Sequence, residues 1–160
     1  MNIVARILDM AIKKNIMITC AESCTGGMVA AALTDLAGSS AMMERGFVTY
    51  TNAAKVEMLS VKEQTLAAHG AVSEQVASEM AHGALAHSAA SLAVSITGIA
   101  GPGGSDHKPE GRVCFGVATQ AGVQSETQEF GALGRAKVRE KARDHALELL
   151  WAEIQKMTPV

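Results

Sequence analysis

At 160 residues, with 48% hydrophobic but only 3% aromatic side chains and a formal net charge of -2, the chain is sized for one domain, 1–160, with an aliphatic and methionine-filled core. Its charge balance carries no basic block, which excludes nucleic acid as an obligatory partner, because phosphate backbones are gripped largely through clustered Lys and Arg. No apolar run reaches the roughly 18 residues of a membrane span, and the first residues lack a signal-peptide pattern. Cys20, Cys24 and Cys114 neither pair evenly nor show zinc spacing, so no membrane, no metal and a reducing cytoplasm are expected.

Residues 2 to 14 place Ile3, Val4, Ile7, Leu8 and Ala11 on one face, an amphipathic first helix. Ile16 to Thr19 reads as a buried strand, and Gly26 to Leu36 carries small and apolar residues at helical spacing. Asp35 to Ser40 is a turn, Arg45 to Tyr50 a second strand, and Asn52 suits the cap of a short helix through Lys55 and Met58. Lys62 to His69 reads as another helix closed by Gly70, and Ser73 opens a longer one to about His87. His82 and His87 lie off the spacing that puts ligands on one helix face and read as surface or structural residues. Ser91 to Thr97 is a third strand running into the glycine-dense Gly98 to Gly104. Arg112 to Thr119 and Val123 to Phe130 form a hairpin about Ala121-Gly122, and Arg135 to about Lys156 a terminal helix. A linker is the competing reading of the glycine run, but it interrupts two strands of one sheet, which favours a ligand-facing loop.

The chemistry is placed at the polar turn between Thr19 and Met28. Thr25 suits a helix cap, and Gly26 and Gly27 let the backbone approach a ligand closely, leaving N–H groups for an anion or a developing oxyanion. Ser23, ahead of those donors, is a candidate nucleophile on a strand-to-helix elbow; ordinary turn and cap residues are the bland alternative. Lys55 sits just beyond a strand end, where open α/β sheets form sites, although a solvated helix lysine fits the same spacing.

Five ordered motifs go further: Ala21-Glu-Ser-Cys-Thr-Gly-Gly27, Gly38-Ser-Ser40, Tyr50-Thr-Asn-Ala-Ala-Lys55, His69-Gly-Ala-Val-Ser-Glu74 and Thr97-Gly-Ile-Ala-Gly-Pro-Gly103. Together they resemble the CinA carboxy-terminal domain family, the nicotinamide mononucleotide deamidases, over nearly the whole chain. The resemblance implies a three-layer α/β/α sandwich with a mixed, mostly parallel sheet. It also implies hydrolysis of the carboxamide of a pyridine mononucleotide to the acid and ammonia, without a cofactor. The family's catalytic serine and lysine correspond to Ser23 and Lys55. An amide is a poor electrophile, so the serine needs a base, and a lysine serves if burial lowers its pKa to about 7 to 8.

Around that pair the expectations are open. Tyr50 is placed to hydrogen-bond Ser23 or Lys55, or simply to pack. N–H groups around Cys24, Thr25, Gly26 and Gly27 suit the oxyanion. Thr97, Gly98, Ala100 and Gly101 suit the ribose phosphate. Arg135 and Arg139 match the family's late Arg-x-x-Val-Arg pattern and suit the phosphate, in this subunit or a neighbour, or are helix-surface charges. Glu22 either orients Lys55 or is solvated. The chain departs from the family pattern at Gly134, where an acidic residue is usual, and places Glu110 and Arg112 near the glycine loop. A non-catalytic nucleotide-binding module, an amidase of another substrate, and Cys24 as nucleophile are the competing functions. Methionine- and alanine-rich helices suit a homodimer, and core burial accounts for them equally.

Overall fold

The computed structural model describes residues 1–160. The elements follow as α1 (Ile3–Lys14), β1 (Ile18–Glu22), α2 (Met28–Leu33), β2 (Met43–Val48), α3 (Asn52–Leu59) and α4 (Glu63–His69). Then come α5 (Glu74–Ala86), β3 (Leu92–Gly98), β4 (Arg112–Thr119), β5 (Gly122–Glu129) and α6 (Arg135–Lys156). The second strand runs Met43–Val48 rather than Arg45 to Tyr50, and β3 and β5 are displaced by one residue. Two further boundaries differ for identifiable reasons. The first strand starts at Ile18, because Asn15 turns left-handed (φ 55) and the Ile16 N–H is spent on the Ala11 carbonyl at the end of α1. The second helix starts at Met28, because Gly26 and Gly27 take φ of 58° and 112°, outside helical space.

The five strands form one sheet in the order β2-β1-β3-β4-β5. β1 pairs in parallel with both β2 and β3, while the β3–β4 and β4–β5 ladders are antiparallel. Four strands therefore point the same way and only β4 runs against them; the sheet is mixed, as expected, with two parallel and two antiparallel ladders. β1 and the first six residues of β3 are wholly buried, as strands covered on both faces must be. β5, at the edge, is polar and partly exposed.

Helices cover both faces. The larger core joins the sheet to α1, α2 and α6 through residues such as Ile7, Leu33, Ile96, Val138 and Leu150. The smaller one joins it to α3 and α5 through Ala21, Leu59, Val76, Met80 and Ala93. No helix is long and apolar enough to cross a membrane. In the second layer Gly83 of α5 meets the end of α3 so closely that an added Cβ would lie 1.9 Å from the Leu59 carbonyl oxygen. Gly83→Ala is expected to push α3 off the sheet and cost about 1–3 kcal/mol, read as a lower urea midpoint at unchanged slope.

Candidate active site

The three parallel strands end side by side, and their carboxyl ends bring distant segments to one edge, the usual site of open α/β sheets. Ser23 N–H donates to the Ile96 carbonyl (2.9 Å), and Thr49 N–H to the Glu22 carbonyl (2.8 Å). Strand pairing thus continues to the residues flanking the turn and fixes where Ser23 begins. After β2, Thr51 rather than Asn52 caps α3, its Oγ1 accepting the Ala54 N–H at 3.0 Å. Lys55 lies one turn in. Helical side chains slant toward the amino terminus, so Lys55 reaches back over the end of β2.

Lys55 is 1% exposed. Its Nζ donates to the carbonyls of Thr49 (2.9 Å) and Tyr50 (3.2 Å) and lies 3.0 Å from Ser23 Oγ. Burial pushes its pKa below the ordinary lysine value. The partners also dictate how a neutral amine sits there. Two of the three are carbonyls, which only accept, so they take the two N–H groups and the lone pair is left for the Ser23 hydroxyl. A solvated helix lysine is excluded.

The turn carrying Ser23 is held from two sides. Glu22, wholly buried, accepts the N–H groups of Gly27 (3.2 Å), Val29 (2.9 Å) and Ala30 (3.0 Å). It therefore caps α2 from the preceding strand, neither solvated nor placed on Lys55, whose three partners are Ser23, Thr49 and Tyr50. The expected cap, Thr25, makes no such bond, and its buried hydroxyl has no partner. Glu22→Gln replaces one acceptor oxygen by a donor against these N–H groups. A loss of about 1–3 kcal/mol is expected in urea unfolding.

Opposite Glu22, Arg139 of α6 donates from Nε to the Cys24 carbonyl (3.1 Å) and from Nη2 to that of Thr25 (3.4 Å). Of the N–H groups expected to meet an oxyanion, that of Gly26 is spent on the Ser23 carbonyl and that of Gly27 on Glu22. Those of Cys24 and Thr25 donate to no protein acceptor. The Cys24 thiol is buried, which pushes its pKa up to about 11. It is a thiol at neutral pH, which disfavours it as the nucleophile.

A cavity of about 320 Å³ opens above the pair, within the range of small-molecule sites. Ser23, Cys24 and Lys55 form part of its wall, and Thr97 to Gly103 with Arg135 form much of the rest; its only charged side chains, Lys55 and Arg135, are basic. Gly26, Gly27, Thr25 and Arg139 do not line it. Tyr50 contributes differently from expectation. Its carbonyl faces Lys55, whereas its phenol, on a 56% exposed residue, accepts from Arg135 Nη2 at 2.7 Å. Arg135 Nη1 also donates to the Gly101 carbonyl at 2.8 Å, joining the glycine loop to Tyr50. Thr97 lines the cavity, but its hydroxyl is committed to the Ala71 carbonyl at 2.9 Å.

Sequence reasoning missed several contributors. Asn52, read as a cap, instead lines the cavity with Ala71 and Val72 of the His69–Glu74 motif. Lys108 ties the glycine loop to the His69 and Val72 carbonyls, and Glu110 accepts the Gly103 N–H at 2.8 Å. The motifs contained Asn52, Ala71 and Val72; nothing local distinguished their direction.

The sequence model of the CinA C-terminal domain matches residues 1–154. The chain belongs to the CinA C-terminal domain family. It is 54% identical over 142 residues to the nicotinamide-nucleotide amidohydrolase PncC of Escherichia coli K12, covering 88% of this chain and 86% of that one. The crystal structure of the competence/damage inducible protein CihA from Agrobacterium tumefaciens superposes with a TM-score of 0.91 at 49% identity, covering 94% and 92% of the two chains. A CinA-superfamily protein from Klebsiella pneumoniae gives 0.92 at 35%, covering 97% of each. Such agreement at these identities supports the family fold over nearly its whole length.

Proposed function

We propose that this CinA-family chain is an amidohydrolase that converts nicotinamide mononucleotide to nicotinic acid mononucleotide and ammonia, with Ser23 as nucleophile and Lys55 as general base. The observation that carries the mechanism is the 3.0 Å approach of Lys55 Nζ to Ser23 Oγ with two carbonyls holding the amine's hydrogens. The substrate follows from the name of the 54% identical relative. Ser23 Oγ attacks the carboxamide carbon while its proton passes to the lone pair of Lys55. The oxyanion is met by the uncommitted N–H group of Cys24, which lines the cavity. As the C–N bond breaks, the Lys55 ammonium returns its proton to the nitrogen, which leaves as ammonia. Water then attacks the Ser23 ester, its proton taken by Lys55, which returns it to Ser23 Oγ as the ester bond breaks and the acid departs.

The phosphate is held at the basic end of the cavity by Arg135, with the Ala100 and Gly101 N–H groups, which have no protein acceptor, beside it. Tyr50 then positions Arg135 through its phenol and Lys55 through its carbonyl. Folded protein incubated with nicotinamide mononucleotide should release ammonia and form the acid in equal amounts. Absence of both rejects the substrate assignment.

A further inference from the structure

We propose that Arg139 is a positioning residue for the oxyanion donor, the Cys24 N–H, not a ligand of the substrate phosphate. The inference rests on the amidohydrolase reading above. Arg139 does not line the cavity; its guanidinium is committed to two consecutive carbonyls of the turn, those of Cys24 and Thr25. The donor on the cavity side is the N–H of Cys24, which lines the cavity and has no protein acceptor. Arg139 holds the carbonyl of that same residue, and its two bonds to Cys24 and Thr25 fix the stretch of backbone that carries the N–H.

Within the turn Gly26 N–H closes on the Ser23 carbonyl and Met28 N–H on that of Thr25, but no main-chain bond engages the Cys24 carbonyl or the Cys24 N–H. Glu22 secures the far end of the turn through Gly27, Val29 and Ala30, leaving the Cys24–Thr25 unit to Arg139. A planar fork suits two neighbouring carbonyls as a single ammonium does not. Arg135, which does line the cavity, is left as the phosphate partner.

The test compares Arg139→Ala, Arg139→Lys and Arg135→Ala on nicotinamide mononucleotide and on nicotinamide riboside, which lacks the phosphate. A positioning role predicts that Arg139→Ala lowers kcat about 10²–10³-fold on both substrates with KM changed only a few-fold. Arg139→Lys, which keeps the charge and the alkyl stem and guards against misfolding, should still lose about tenfold or more in kcat. Arg135→Ala should raise KM for the nucleotide alone. Arg139 variants with raised nucleotide KM, unchanged kcat and unchanged riboside turnover would overturn the inference.

The rate at which a fluorophosphonate labels Ser23, checked against Ser23→Ala, supplies a readout independent of the amide. It should fall at least about tenfold in Arg139→Ala, because the phosphonyl oxygen uses the same donor. Unchanged labelling would overturn the inference. Wild-type protein that labels but releases no ammonia would defeat the substrate assignment while leaving the role of Arg139 decided by the labelling rates.

Discussion

Ser23→Ala is expected to lower ammonia release from nicotinamide mononucleotide by at least about 10⁴-fold while substrate binding, measured by calorimetry, changes little. The loss is large because no other group can form the ester. Cys24, the one neighbouring alternative, is a buried thiol whose pKa stands near 11. Ser23 Oγ meets only the Lys55 amine and, at 3.4 Å, the Tyr50 carbonyl. Its removal therefore leaves the strand pairing through Ser23 N–H and the Glu22 cap in place. The variant should melt within a few degrees of wild type. Cys24→Ala should retain most of the activity. Turnover surviving in Ser23→Ala to within tenfold of wild type would remove the hydroxyl from the mechanism.

The second large effect separates a base from a charge. In Lys55→Gln the side-chain amide can still donate to the carbonyls of Thr49 and Tyr50, but it has no basic lone pair for the Ser23 proton. A fall in kcat of about 10³-fold or more is expected at neutral pH, near the upper part of what general-base catalysis supplies. The pH profile gives the complementary result. Lys55 works as the amine, so kcat/KM should be low where Nζ is protonated, rise about tenfold per pH unit, and level off above the enzyme's lysine pKa. Burial lowers that pKa, so the midpoint must lie below the ordinary value of 10.5. A profile flat through this region, or one falling as pH rises, would exclude Lys55 as the base. In Lys55→Gln that rising limb should vanish from the residual activity.

The two expectations draw on different kinds of information. The serine was legible because an abrupt change of pattern, from a β-branched run to small residues through a polar glycine turn, marks a strand-to-helix elbow. The lysine was not legible in that way. On spacing alone Lys55 is an ordinary residue of a short helix, and only the order of the motifs linked it to Ser23. Its burial depends on α3 lying against the sheet beside Gly83, a contact between segments far apart in the chain.

Glu22 and Arg139 show the same limit from the other side. Both are charged residues that local pattern assigns to solvent or to the phosphate. Both are in fact used on main-chain groups of the turn, Glu22 on its N–H groups and Arg139 on its carbonyls. Thr25 was read as the cap because it stands directly ahead of the expected helix from Gly26 to Leu36, and Thr is a favoured residue there. A carboxylate arriving from β1 took those N–H groups instead, and a charged acceptor binds them more strongly than a hydroxyl.

By itself the sequence determined the order of helices and strands, the mixed α/β class, the family, and the serine elbow, because these depend on periodicity and on contiguous motifs. Tertiary structure alone decided which way each polar group faces: that Lys55, 32 residues from Ser23, turns its amine to that hydroxyl, that Tyr50 offers its carbonyl to the amine and its phenol to Arg135, and that Asn52 joins the cavity. The physical reason is that a side chain's partner is set by where the chain returns after crossing the sheet. Neighbours along the polymer carry no record of that distance or direction.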